Sequence, residues 1–189
     1  IGAVHIARDI TERKKAEEAY RSLVDHSLQG LAIFQDGRVV FTNQAMAEIT
    51  GYTVDEMLAK SSEQVRAFVH PEDRELVWTR HQQRLNGEQL PEHYELRGIR
   101  KDGSTCWLEI HASRVEFRGR PAIQAAYVDI TERKKAEEES KKSRNLLEKT
   151  FLSLESAIFI LDNESPPIIK DCNPATSRIF GYQKHEMLG

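Results

Sequence analysis

The segment DITERKKAEE stands at Asp9–Glu18 and again, unchanged, at Asp129–Glu138, 120 positions further on. Self-similarity of this kind is read before any local pattern, because it fixes how many units the chain must build. SLQGLAIF, TNQAMAEITGY and EML follow the first copy, and SLESAIFI, CNPATSRIFGY and EML follow the second in the same order. The offset grows from 120 to 126 at Leu28 and Leu154, and to 130 at Asn43 and Asn173. A longer linker and a longer first hairpin are therefore predicted in the second copy. IGAVHIARDI before the first decamer echoes PAIQAAYVDI before the second. These echoes divide the chain into the last strand of one unit at 1–8, a linker helix at 9–23, a complete unit at 24–130, a second linker helix at 131–153, and the beginning of a further unit, cut short, at 154–189.

The decamer reads as a helix start. Asp129 followed by Glu132 matches a capping box, in which each end of the motif satisfies an amide of the first turn. ERKKAEEESKKSRNLLEKTFLSL contains neither Gly nor Pro and is rich in strong helix formers. Ala136, Ser140, Ser143, Leu147, Thr150 and Leu154 recur at alternating spacings of four and three. That is heptad spacing, weakened by serines in the seam. The first copy has a shorter seam at Ala16, Tyr20, Leu23 and Ser27. An exposed spacer helix and one strand of a parallel dimer both fit.

Charge and cysteines narrow the function classes. Lys and Arg total 27 against 30 Asp and Glu, a balance with no footprint for nucleic acid or an anionic membrane surface. Cys106 and Cys172 form no C-x-x-C pair and have no metal-spaced histidine, so neither zinc nor a disulfide framework is expected. That fits a cytoplasmic setting, with any membrane anchor lying elsewhere in the parent protein. No apolar run reaches the roughly 18 residues that a spanning helix needs. No phosphate loop and no nucleophile–base set is evident, so the segment is read as non-enzymatic.

Within 24–130 the pattern is strand, strand, short helices, then three strands. Gly30–Gln35 and Arg38–Thr42 surround a DG hairpin signal. Ala45–Ile49 reads as a helix stopped by Gly51, and Thr53 with Glu56 makes a capping box. Pro71 opens a longer helix that ends at Gly87 and carries Trp78, His81 and Leu85 on one side. KDG and RGRP separate the last three strands. In the long strand Cys106, Leu108, Ile110 and Ala112 share the core face, while Trp107, Glu109, His111 and Ser113 share the other, which is expected to meet another chain or the incoming helix. The fold class is α+β, a five-stranded antiparallel sheet with short helices on one face and linker helices at either end.

The stretches GLAIFQDGRVVFTNQAMAEITGYTVDEML, FVHPEDR, IRKDGSTCWLEI and AAYVDITERKKAEE together resemble the Per-Arnt-Sim (PAS) sensory domain, with its closing PAC motif, over residues 24–134. The resemblance implies a pocket between sheet and helices, homodimerisation through the flanking helices, and signalling by movement of the exit helix. It implies a tandem sensor, most simply of a two-component histidine kinase. A ligand-free dimerising spacer and the sensor of a cyclic-dinucleotide protein are the alternatives. Candidate pocket walls are Met46, Trp78, His81, Leu108, Ile110 and Tyr127, around either a small organic ligand or a filled core. The candidate relay is Asp129, Ile130, Thr131 and Glu132. The family's photoreactive cysteine corresponds to Val65 here, and its flavin-gripping amides to Gly98, Leu108 and Tyr127, which argues against cysteinyl-flavin photochemistry. The family's haem-ligand position corresponds to Val77, one turn before His81, so haem is not expected. His81 is expected to be a pocket-wall histidine hydrogen-bonded to a neighbour.

Overall fold

The structure is a computed structural model that describes residues 27–188 together with Lys15, Ser22 and Val24. The strand expected at 1–8 and nearly all of the helix expected at 9–23 lie outside the described residues. Two compact units divide between Glu132 and Arg133.

In the first unit, β1 (Gly30–Gln35) and β2 (Arg38–Thr42) pair antiparallel. Asp36 and Gly37 at their turn both have positive φ, 52° and 73°, as a two-residue hairpin turn of the favoured hand requires. Three short helices follow: α1 (Gln44–Thr50), α2 (Val54–Leu58) and α3 (Ser62–Arg66). Thr53 and Glu56 close the capping box expected for α2. Ser61 and Gln64 close a second one that starts α3, a helix the sequence reading did not single out. A 3-10 turn at Pro71–Asp73 leads into α4 (Arg74–Leu85). Then come β3 (His93–Ile99), β4 (Thr105–Phe117) and β5 (Arg120–Asp129).

The five strands form one antiparallel sheet in the order β2-β1-β5-β4-β3. Register is set by alternation, since a slip of one residue would turn every core side chain to the opposite face. Cys106, Leu108, Ile110 and Ala112 are all buried. Leu96, Ile123 and Ala125 join them in one cluster, against which Val77 and Leu85 of α4 pack. Each such Leu or Ile removed from water contributes about 1.5–3 kcal/mol. On the other face Trp107 is half-buried, with the Arg97 guanidinium 5.8 Å from its ring centre.

The helix α5 (Thr131–Ser153) begins two residues after the end of β5 and has no buried residue. Leu146 and Leu147 are 66% and 68% exposed. In the second unit β6 (Phe159–Leu161) pairs with β7 (Ile169–Cys172), followed by α6 (Pro174–Phe180) and α7 (Lys184–Met187).

Candidate functional site

The helices α1 to α4 and the inner face of the sheet enclose a cavity of about 90 Å³. Three cross-strand rows shape its floor. Tyr94, Ile110 and Tyr127 lie side by side across β3, β4 and β5, and so do Ala112 and Ala125, paired in turn with Ala32 of β1. The alanines leave the space that larger residues would fill. Gly98 is pinched on the third row: a Cβ there would come within 2.9 Å of Leu108 Cδ1 and 3.0 Å of Cys106 Sγ. Gly30 is pinched likewise, because α1 lies so close that a Cβ would meet Met46 Sδ at 2.8 Å.

The position of α4, the fourth wall, is fixed near its N-terminus. Asp73 accepts from the Arg97 backbone N–H at 2.9 Å and from its guanidinium at 3.0 and 2.6 Å. Those bonds outweigh partial burial and hold the Asp73 carboxyl below the usual carboxylate range. This clamp joins the start of α4 to the edge strand β3.

All six residues proposed from sequence as pocket walls line this cavity. Met46, Leu108 and Ile110 are buried, and Tyr127 is enclosed enough that burial pushes its phenol well above its ordinary value. Trp78 and His81 stack on one another at 5.4 Å, and Phe34 meets the imidazole edge-on. One expectation fails here. Nε2 of His81 is buried and has no hydrogen-bond partner among the described residues, because the groups around it are aromatic and aliphatic. Burial, helped by the charge of Arg84, lowers its pKa and keeps it neutral.

Arg84 was missed by sequence reasoning. It lines the cavity and is only 5% exposed. A charged residue in a polar helix is read by default as solvated. Its place seven residues after Val77 and three after His81 puts it on the inward side, and that spacing was the available signal.

The junction between β5 and α5 is the second feature. The β4 ladder continues past the strand end: Ile130, which is buried, donates to the Trp107 carbonyl at 2.9 Å, and Trp107 N–H donates to Thr131 Oγ1 at 3.0 Å. Asp129 Oδ1 accepts from the backbone N–H and the hydroxyl of Thr131. This corrects the expected capping box. The helix starts at Thr131, so Asp129 stands one residue before the cap position and makes a turn to Thr131 instead of bonding the amide of Glu132. Arg100 of the β3–β4 turn completes the junction. Its guanidinium donates to Asp129 Oδ2 at 2.5 Å and to the Ile49 carbonyl of α1 at 2.8 Å. Burial opposes ionisation of Asp129, but bonds from Thr131 and Arg100 prevail and hold its pKa below the ordinary value.

Residues 39–124 match the family described as PAS fold, and residues 155–189 the family described as PAS domain. The chain is 26% identical over 129 residues to the C4-dicarboxylate transport sensor protein DctS of Rhodobacter capsulatus, covering 66% of this chain and 19% of that protein. It is 27% identical over 146 residues to sporulation kinase A of Bacillus subtilis, covering 73% and 24%. The chain thus spans about a fifth to a quarter of the length of these relatives. Among solved structures, the PAS domain of an HTR-like protein from Haloarcula marismortui superposes with a TM-score of 0.53 at 26% identity, covering 66% of this chain and 99% of that one. A sensory box histidine kinase/response regulator from Burkholderia thailandensis gives 0.52 at 22%, covering 69% and 98%, a likeness of fold alone.

Proposed function

We propose that this chain, which matches PAS families at residues 39–124 and 155–189, is the sensory and relay segment of a tandem-PAS two-component histidine kinase. The observation that carries the reading is Arg100, whose one guanidinium holds both the end of α1 in the cavity wall and Asp129 at the root of α5. A change in the cavity that moves α1 pulls on Arg100, and Arg100 pulls on the residue that precedes the exit helix. Because β4 bonds directly to Ile130 and Thr131, the helix cannot shift without disturbing the sheet. The two relatives, one named a sensor protein and the other a kinase, support this output.

The cavity takes a small organic molecule. At about 90 Å³ it suits a small organic molecule better than a macrocycle or a three-ring flavin, and the reading against those cofactors rests on Val65, Val77, Gly98, Leu108 and Tyr127 standing where the family's cofactor ligands would be. The segment itself performs no chemistry, and it works in the cytoplasm. No described helix is long and apolar enough to cross a membrane. Homodimerisation runs through α5, where Leu147 of the heptad seam lies exposed beside Leu146 and Leu152. Sedimentation of the chain at high concentration is expected to give a dimer, and a monomer there sinks the pairing.

The relay is tested in the full-length parent protein. Asp129→Ala is expected to uncouple stimulus from output while the domain stays folded. Unchanged output would leave the domain as a spacer.

A further inference from the structure

The cavity contains an uncompensated charge. Arg84 is the one charged residue among those lining it, and it is 5% exposed. Its guanidinium donates to the Pro91 carbonyl at 2.7 Å and lies 6.0 Å from the ring centre of Tyr94. Among the described residues no carboxylate pairs with it, whereas Arg97 pairs with Glu72 and Asp73, and Arg100 with Asp129. A buried cation without a counter-charge is costly. The last turn of α4, where Arg84 sits, and one backbone carbonyl offer only partial charges in return. One turn earlier, the buried Nε2 of His81 lines the same cavity with no partner. Arg84 without a counter-charge and His81 Nε2 without a partner, three residues apart on one helix, therefore both line one small, mostly apolar cavity.

We propose that this cavity binds a small aliphatic monocarboxylate, with its carboxylate received by Arg84 and His81 and its short chain lying toward Met46, Met57 and Leu108. The planar fork of a guanidinium matches the two oxygens of a carboxylate. In the tautomer protonated on Nε2, neutral His81 adds one donor. With a single cation present, the site balances a single negative charge, so a dicarboxylate or a phosphate ester would carry an anion without a partner. Size sets the upper limit: an apolar cavity of about 150 Å³ holds benzene, and this one is smaller, which limits the chain to about four carbons, since butyrate already has as many heavy atoms as benzene.

The assignment rests on the reading of the cavity as the sensory input and names what enters it. The 189-residue chain is titrated calorimetrically with butyrate, with butyramide and 1-butanol as uncharged shapes of similar size and succinate as the dianion. Butyrate is expected to bind one to one, on the order of 30-fold more tightly than butyramide, with succinate weaker still. Arg84→Met is expected to abolish that preference while keeping butanol binding. Arg84→Lys should retain part of it, and serves if the Met variant fails to fold. Equal binding of butyrate and butyramide by the unaltered chain, or no binding of either, overturns the assignment. These outcomes are separate from the relay test. Loss of output in Asp129→Ala without butyrate binding would sink the ligand and keep the relay, and butyrate binding with unchanged output would do the reverse.

Discussion

Two regions of this chain build the same small device from different residues. Asn43 caps α1 from a buried position: its Oδ1 accepts from Leu31 N–H and Met46 N–H, and its Nδ2 donates to the carbonyls of Val24 and Gln29. Asn173 caps α6 with the same set, accepting from Ile158 and Thr176 and donating to Leu154 and Ser156. The bonds align Leu31 with Ile158, an offset of 127 where the sequence comparison used 126. With that alignment Gly30 matches Ala157 and Met46 matches Thr176. The difference is instructive. In the first region a large side chain on the helix demands glycine on the strand, and in the second a smaller one admits alanine. The burial differs too. Ala32 and Val39 in the first hairpin are at most 3% exposed, whereas Phe159, Ile160 and Leu161 are 37%, 48% and 51% exposed. A shared hydrogen-bonded corner does not make a core. Strands β3 to β5 do that in the first region, and the second has no counterpart among the described residues.

The sharpest way to break this comparison is to remove the asparagines one at a time. Asn43→Ala strands four backbone groups, three of them on buried or half-buried residues, and is expected to cost about 3 kcal/mol. Both tryptophans, Trp78 and Trp107, lie in the first region, so denaturation followed by their fluorescence reports that region. Asn173→Ala should leave the same midpoint unmoved. Equal shifts from the two would mean that the corners are not independent. Next in size is Gly30→Ala, where the new methyl overpacks against Met46 and costs about 1–3 kcal/mol. If the pairing with residue 46 is the cause, the alanine should cost less in a Met46→Thr background, as in the second region. A double-mutant cycle with no coupling would refute it.

The smallest effect is one of pH. Asp73 and Asp129 are depressed in the folded state, and an unfolded aspartate titrates near 3.9. Their contribution is complete above that value and is lost as pH falls through the folded values. The tryptophan-monitored midpoint should therefore fall between about pH 4 and pH 2, and less so in Asp73→Asn. An identical acid response in that variant would exclude the Asp73 clamp as a source.

Much of this was written into local sequence. The decamer repeat, the DG hairpin, the Thr53 box and the alternation from Cys106 to Ala112 each fix backbone or facing within a few residues. So did the inward stripe of Trp78 and His81, and all six proposed cavity residues line the cavity. The missing parts are long-range. Arg84 is polar by type and buried only because Val77 and Leu85 draw its helix onto the sheet. The Arg100 bridge joins residues 51 and 29 positions away, and no spacing rule connects them. Asp129 was identified as a cap, but the extended β4 ladder delays the helix to Thr131 and turns that carboxylate toward Arg100.

The sequence by itself determined which segments become strand or helix and which side of each turns inward, since those follow from turn chemistry, capping and period. Only the tertiary structure decided that a cavity survives, that a guanidinium is left in it without a counter-charge, and that one arginine ties the cavity wall to the exit helix. Those depend on how closely separate elements approach, a distance set by packing across the fold.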